Sequence, residues 1–302
     1  MKRHILTAFV LIAVIISGYI GYQWFNRPLV SVVMLTYKRA DILPQAIDSV
    51  LAQAYPDFEL IILNDGSPDN TDEVVKKYHD KRIRYYKNKQ NKGIAYSRNR
   101  ATSLARGKYI MIMDDDDISL PTRIEKQTEY LNAHPNIDVL AGQIKDYPKK
   151  VPQTHDRIAS ELIQWNMLGN ANIMYRHQFA KDHHIKYDED LPYGEDWHFW
   201  VQMVLAGAKF AAIPDDVIER KEHSQKHYQA NDTLMHQKVK DMIGNFFSKE
   251  NPEEFYKADS CQKLQLIKSA PMQILSKAFL EQLILLNCPQ VDEAIHQQIS
   301  AK

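Results

Sequence analysis

Glycine is scarce, with 10 among 302 residues, and neither GxxxxGK followed by Ser or Thr nor GxGxxG occurs. The backbone cradles that wrap phosphate in P-loop and dinucleotide-binding proteins are therefore missing, and both readings drop out. Cysteine is scarcer still. Cys261 and Cys288 lie far from every polar cluster described below, which excludes a disulfide framework and a thiolate metal site and leaves the redox compartment undecided. Net charge is also absent: 38 Lys and Arg balance 38 Asp and Glu, so no global field would hold the chain on nucleic acid. No internal repeat or low-complexity stretch occurs. What remains is the composition of a folded protein, 44% hydrophobic and 25% charged, long enough for about two ordinary domains.

One long apolar run is present. Ile5 to Tyr22 carry no charge, and as a helix they would reach about 27 Å, near the roughly 30 Å hydrocarbon core of a bilayer. Lys2 and Arg3 precede the run, Tyr19, Tyr22, Trp24 and Phe25 supply interfacial aromatics, and Arg27-Pro28 end it. The pattern predicts a single-pass anchor over residues 1–28. A cleaved signal peptide shares the basic start and apolar stretch, but no A-x-A-like site follows. Lys2 and Arg3 on one side face Arg27, Lys38 and Arg39 on the other, so the positive-inside rule sets no topology. The expected localisation is a bacterial inner membrane with the domain beyond the anchor in the cytoplasm; a Golgi membrane with a lumenal domain is the rival.

From Leu29 onward, strand-like runs alternate with helical spacing. Strands are predicted at Val30 to Leu35, Phe58 to Leu63, Ile83 to Tyr86 and Tyr109 to Met113, with helices over Ile42 to Ala54, from Asn70 or Thr71, and over Ile94 to Ala105. This βαβαβαβ order predicts an α/β fold: a mostly parallel sheet covered on both faces, with ligands at the carboxyl ends of the strands. Beyond Pro121 the pattern is mixed. It predicts a helix to about His134, strands at Ile137 to Ala141 and near Asn172 to Tyr175, a helix from Glu195, and strands near Phe210 to Ile213 and Val217 to Arg220. From about Ala230 the spacing is helical only. The expected domains are thus an anchor at 1–28, a catalytic domain at 29–229 and a helical C-terminal extension at 230–302.

Strand-end logic selects the residues that carry chemistry. Thr36-Tyr37, Asn64-Asp65 and Asp114-Asp115-Asp116-Asp117 each follow a strand directly and should share one rim. Four adjacent carboxylates repel one another, a cost most readily offset by a hard divalent cation, Mg²⁺ or Mn²⁺, shared with substrate phosphates. In extended chain neighbouring side chains point apart, so Asp114 and Asp116 form the expected alternating pair. Asp65 either serves the ligand or only shapes its Gly-Ser turn. Glu195 and Asp196 open a helix; they either complement its dipole or supply a base.

These residues resemble the inverting family 2 glycosyltransferases with the GT-A fold. The matching stretches are Ser31 to Tyr37, Ala46 to Gln53, Glu59 to Ser67 with Asp69 and Thr71, Asn91 to Asn99, Met113 to Ile118 with Pro121, Arg123 and Glu125, and Gly194 to Trp197. The resemblance implies a Rossmann-like mixed sheet binding a nucleotide-diphosphate sugar, a UDP-sugar. It implies that Asp65 contacts uracil, Thr36 and Tyr37 wall the base, Arg98 lies near the nucleotide, and Asp114, Asp115 and Asp117 face the donor. Asp116 would hold the metal and Asp196 would be the base, helped by Glu195. Arg220-Lys-Glu-His223-Ser is similar to the family's R-x-H-x-x-S, one residue too long, which implies His223 as a second metal ligand. The acceptor would be a glycan or lipid-linked saccharide. A sugar nucleotidyltransferase would want a glycine-rich loop where Thr36-Tyr37-Lys38-Arg39 stand, and a silent glycan-binding scaffold would need neither Asp116 nor Asp196.

Overall fold

The computed structural model describes residues 28–221, apart from 165, 192 and 193, together with Lys238. The apolar run 5–22, His223, both cysteines and the C-terminal extension at 230–302, Lys238 excepted, lie outside the described residues.

Strands β1 (Val30–Thr36) and β2 (Phe58–Asn64) are buried almost throughout, as expected of parallel strands covered on both faces. Between them α1 (Leu43–Leu51) carries a proline in its first turn and buries Leu43, Ala46, Ile47 and Val50, a single stripe at helical spacing. Next come α2 (Thr71–Lys76), β3 (Ile83–Lys87), α3 (Ile94–Ser103) and β4 (Tyr109–Asp114). The second half runs β5 (Ile118–Ser119), α4 (Arg123–Ala133), β6 (Val139–Ile144), α5 (His155–Gln164), β7 (Ile173–Arg176), α6 (His177–Asp182), α7 (Glu195–Leu205) and β8 (Phe210–Glu219).

All eight strands form one sheet in the order β3-β2-β1-β4-β7-β6-β8-β5. Strands β1 to β4 are parallel; β7 runs antiparallel to both β4 and β6, and β8 lies parallel to β6. The carboxyl ends of β1, β2, β4, β6 and β8 consequently open on the same rim. Side chains alternate between two cores: Ile110 and Ile112 of β4 enter one, Tyr109, Met111 and Met113 the other.

Three expectations change. The two strands near 210–213 and 217–220 are one strand, β8, whose pairing with β6 jumps from Ala141↔Ala212 to Gln143↔Asp216. Two extra residues in the stretch containing Pro214 bulge there, which is where proline is tolerated in a sheet and why the hydropathy breaks. Helices α5 and α6 fill a stretch that carries no assignment in the sequence pattern. The single-pass membrane localisation is also corrected: among the described residues no helix is long and apolar enough to cross a membrane.

Candidate active site

Register brings the strand ends together. Thr36 pairs with Asn64, and Leu35 with Asp114, so the residues after β1, β2 and β4 lie side by side. Tyr37 stands at this rim with 37% of its surface exposed. Asp65 is buried, and its carboxylate accepts from Asn88 Nδ2 at 2.6 Å, Lys92 N at 2.9 Å and Gly93 N at 2.9 Å. Three of its roughly four acceptor positions thus hold the 88–93 loop in place. Gly66 makes that approach feasible: its φ is +72°, and a Cβ there would sit 2.5 Å from the Gln90 carbonyl carbon.

The acidic tip departs from the extended geometry expected of it. Strand β4 ends at Asp114, and the chain turns over the next residues. Asp115 and Asp116 therefore do not diverge: Arg39 Nη1 reaches Asp115 Oδ1 at 3.1 Å and Asp116 Oδ2 at 2.5 Å. Burial pushes the Asp115 carboxyl up to about 7 against the pull of Arg39. Burial likewise raises Asp117, with Asp114 and Asp116 adding to it, and Asp117 Oδ1 has no hydrogen-bond partner. Behind the tip, the wholly buried Arg123 donates to the carbonyls of Ile112 and Ile173, and burial brings its guanidinium down to about 9.

Opposite the tip, Gly194 adopts φ +71° and starts α7, whose first turn carries Glu195 and Asp196. Asp196 accepts from Asn166 Nδ2 at 3.2 Å. Burial raises the Asp114 carboxyl; Arg98 opposes this, while Asp116 and Asp196 both push it further up. Arg98, within reach of both Asp114 and Glu195, keeps the acidic tip and the first turn of α7 near one another.

Arg98, expected near the nucleotide, has several partners within the protein. It is buried, forms a close ion pair with Glu195, lies 3.5 Å from Asp114 and sits 5.5 Å over the Tyr187 ring. With its amide oxygen turned inward, Asn170 accepts from Arg98 Nη2 at 2.8 Å. Here Arg98 links the β4 tip to the start of α7. Glu195 is engaged in that link and Asp196 is not, so the two adjacent acids are differentiated by their partners.

Sequence reasoning passed over Arg39, Asn166, Asn170 and Tyr187, and named Arg220 only as part of a motif, without a role. The last faces Asp114 and Asp117 and lies 5.6 Å over the Tyr147 ring. Only position hinted at them: Arg39 follows β1, and Arg220 follows β8, at the same rim. Among the described residues no three His, Cys, Asp or Glu side chains are spaced as a ready metal site. The donor chemistry nevertheless fits Mg²⁺ or Mn²⁺, which take one or two carboxylates and complete their shell with water and substrate phosphate. The orphaned Asp117 oxygen and the crowded acids are what such an ion would relieve.

The fold is thus a mixed α/β sheet with acids at one rim, joined through Arg98 to a helix that opens on two carboxylates. Residues 31–188 match the family described as Glycosyl transferase family 2, and the chain belongs to it. It is 34% identical over 217 residues to an uncharacterized glycosyltransferase of Methanocaldococcus jannaschii, covering 67% of this chain and 74% of that one. Its fold resembles S. aureus TarS 1-349 in complex with UDP-GlcNAc, with TM-score 0.61 and 21% identity over 85% of this chain and 73% of that chain. It also resembles the mannosyltransferase PcManGT from Pyrobaculum calidifontis in complex with GDP-Man and Mn²⁺, with TM-score 0.55 and 15% identity over 97% and 90% of the two chains. The chain is a glycosyltransferase.

Proposed function

We propose that this glycosyltransferase is inverting and divalent-cation-dependent, and that it moves a sugar from a nucleotide diphosphate, a UDP-sugar, to a hydroxyl of a saccharide acceptor. The observation that supports the reading is Arg98, which lies 3.5 Å from Asp114 and pairs with Glu195, so that the acidic tip carrying Asp116 and the helix turn carrying Asp196 share one counter-ion. The bound complexes of the two structural relatives support a nucleotide-sugar donor, and one of them supports Mn²⁺.

Tyr37, Thr36 and Asp65 border the base, with Asp65 also bracing the 88–93 loop, and Asp114 and Asp115 face the ribose and diphosphate. Asp116 would hold the cation, which when bound offsets the charge of the departing diphosphate. Asp196 accepts the proton of the acceptor hydroxyl. The freed oxygen attacks the anomeric carbon from the face opposite the diphosphate, the bond to that diphosphate breaks, and the anomeric configuration inverts. Asn166 orients Asp196, while Arg98 holds Glu195 and through it the first turn of α7. No covalent intermediate on the protein is required. The continuous sheet from Val30 to Glu219 supports a catalytic unit over 29–229, with 230–302 as an extension.

The test is product stereochemistry and turnover together. With a labelled α-linked donor, the expected product is the β-anomer by NMR, and Asp196→Asn is expected to abolish transfer while retaining UDP and Mn²⁺ binding. An α-product, or unchanged turnover in that variant, would overturn the mechanism.

A further inference from the structure

Asp115 and Asp116 already have a cation, and it belongs to the protein. Arg39 Nη1 contacts both carboxylates, at 3.1 and 2.5 Å. Its backbone is pinned around it. Lys38 N donates to Ser67 Oγ at 3.0 Å, Ala40 N donates to Asp69 Oδ2 at 3.2 Å, and the Arg39 carbonyl accepts from Ile42 N and Leu43 N. Lys38 is held at φ +56°, an unfavourable region for a residue with a Cβ, so the loop is set by these contacts and not by local preference. The Arg39 side chain is 27% exposed, so one flank stays open to solvent while its root is fixed. Lys38, the neighbouring cation, is directed elsewhere, over the Tyr37 ring at 5.1 Å.

A guanidinium and a divalent cation cannot share Asp116 Oδ2 at contact distance without strong repulsion. Arg39 must therefore leave when a divalent ion settles there. The strongest anion within its sweep is then the donor diphosphate, whose oxygens suit the planar fork of a guanidinium. We propose that Arg39 is a switching ligand: it neutralises Asp115 and Asp116 in the free protein and moves to the donor diphosphate when the divalent cation takes its place. The inference rests on the reading of Asp116 as the cation ligand. Its consequence is linkage. The divalent ion alone binds weakly because it must displace Arg39, and the donor favours its binding by giving Arg39 a new partner; by reciprocity the ion strengthens donor binding by the same factor.

The experiment is Mn²⁺ titration of the full chain, read by the EPR signal of free Mn²⁺, without nucleotide and with saturating UDP or GDP, for the unaltered protein, Arg39→Gln, Arg39→Lys and Asp116→Ala. Arg39→Gln is expected to bind Mn²⁺ alone about tenfold more tightly and the nucleotide in the presence of Mn²⁺ about tenfold more weakly, so that coupling between the two falls to what the ion and diphosphate share directly. Arg39→Lys keeps the charge without the fork and should fall between. Equal Mn²⁺ affinity in Arg39→Gln and the unaltered protein, or undiminished nucleotide binding in Arg39→Gln, would overturn the switch; if Asp116→Ala still loses Mn²⁺ in that case, the cation reading survives. Absence of Mn²⁺ binding in every protein, with and without nucleotide, would overturn both.

Discussion

The two ends of the parallel strands hold buried carboxylates in opposite conditions. At the amino end, Glu59 accepts from Ser31 Oγ at 2.6 Å, Arg84 Nη1 at 2.7 Å, and Arg106 N and Nε at 2.8 and 2.9 Å. Burial works against its charge, but hydrogen bonds from Ser31, Arg106 and Arg84 outweigh it and hold Glu59 below the usual carboxylate range. At the carboxyl end, Asp114, Asp115 and Asp117 are all pushed up, chiefly by burial, and Asp117 keeps an oxygen without a partner. A protein that optimised only stability would treat both ends alike. The amino end is closed structure, and the carboxyl end keeps its electrostatic tension.

This contrast can be broken or sharpened by experiment. The largest effect is expected from Asp196→Asn at the carboxyl end: a loss of transfer on the order of 10³-fold, measured by UDP release, with the thermal midpoint unmoved. The amino end should instead show itself in stability. His177, buried against the Gly107 carbonyl, is brought down to about 4, by burial first and Lys181 second. The unfolded chain protonates this ring near pH 6.5, ahead of the folded one. Its stability contribution is therefore complete above about pH 6.5 and is lost as pH falls toward 4, by about 2.5 kcal/mol at pH 4.5. Urea unfolding at pH 7 and 4.5 checks this, since His177→Gln should shrink the acid loss. Glu59→Gln should cost about 2 kcal/mol by weakening charge-assisted hydrogen bonds, with unchanged nucleotide affinity in the folded fraction. The smallest effect carries the opposite sign. Asp117→Asn is expected to raise stability by about 1 kcal/mol in the absence of divalent ions, seen as an upward shift in thermal midpoint, while transfer falls. A destabilised Asp117→Asn would place the carboxyl end in the same class as the amino end.

Much of the donor half was legible before any coordinates. Apolar runs 30–35, 58–63 and 109–113 became β1, β2 and β4 because strands buried on both faces must be nearly continuous in hydrophobic residues. Polar residues directly after such runs had to emerge at the strand ends. The second half was harder. Strand β8 contains a proline and a bulge that imitate two short strands, and α6 has only six residues, too few for a periodicity to declare itself. At the tip, alternation was the wrong rule because residues 115–117 leave the strand, which let one arginine hold two adjacent acids.

The sequence by itself determined where the first four strands run, and hence which acids follow them, because hydrophobic period and strand termination are properties of a few consecutive residues. Tertiary structure alone decided what each acid meets there. Arg39 lies 77 residues from Asp116, and Arg98 lies 97 from Glu195, so their pairing depends on how distant segments cross the sheet. Identical aspartates in a row acquire different partners because burial and counter-ions are set by that crossing, which no local spacing records.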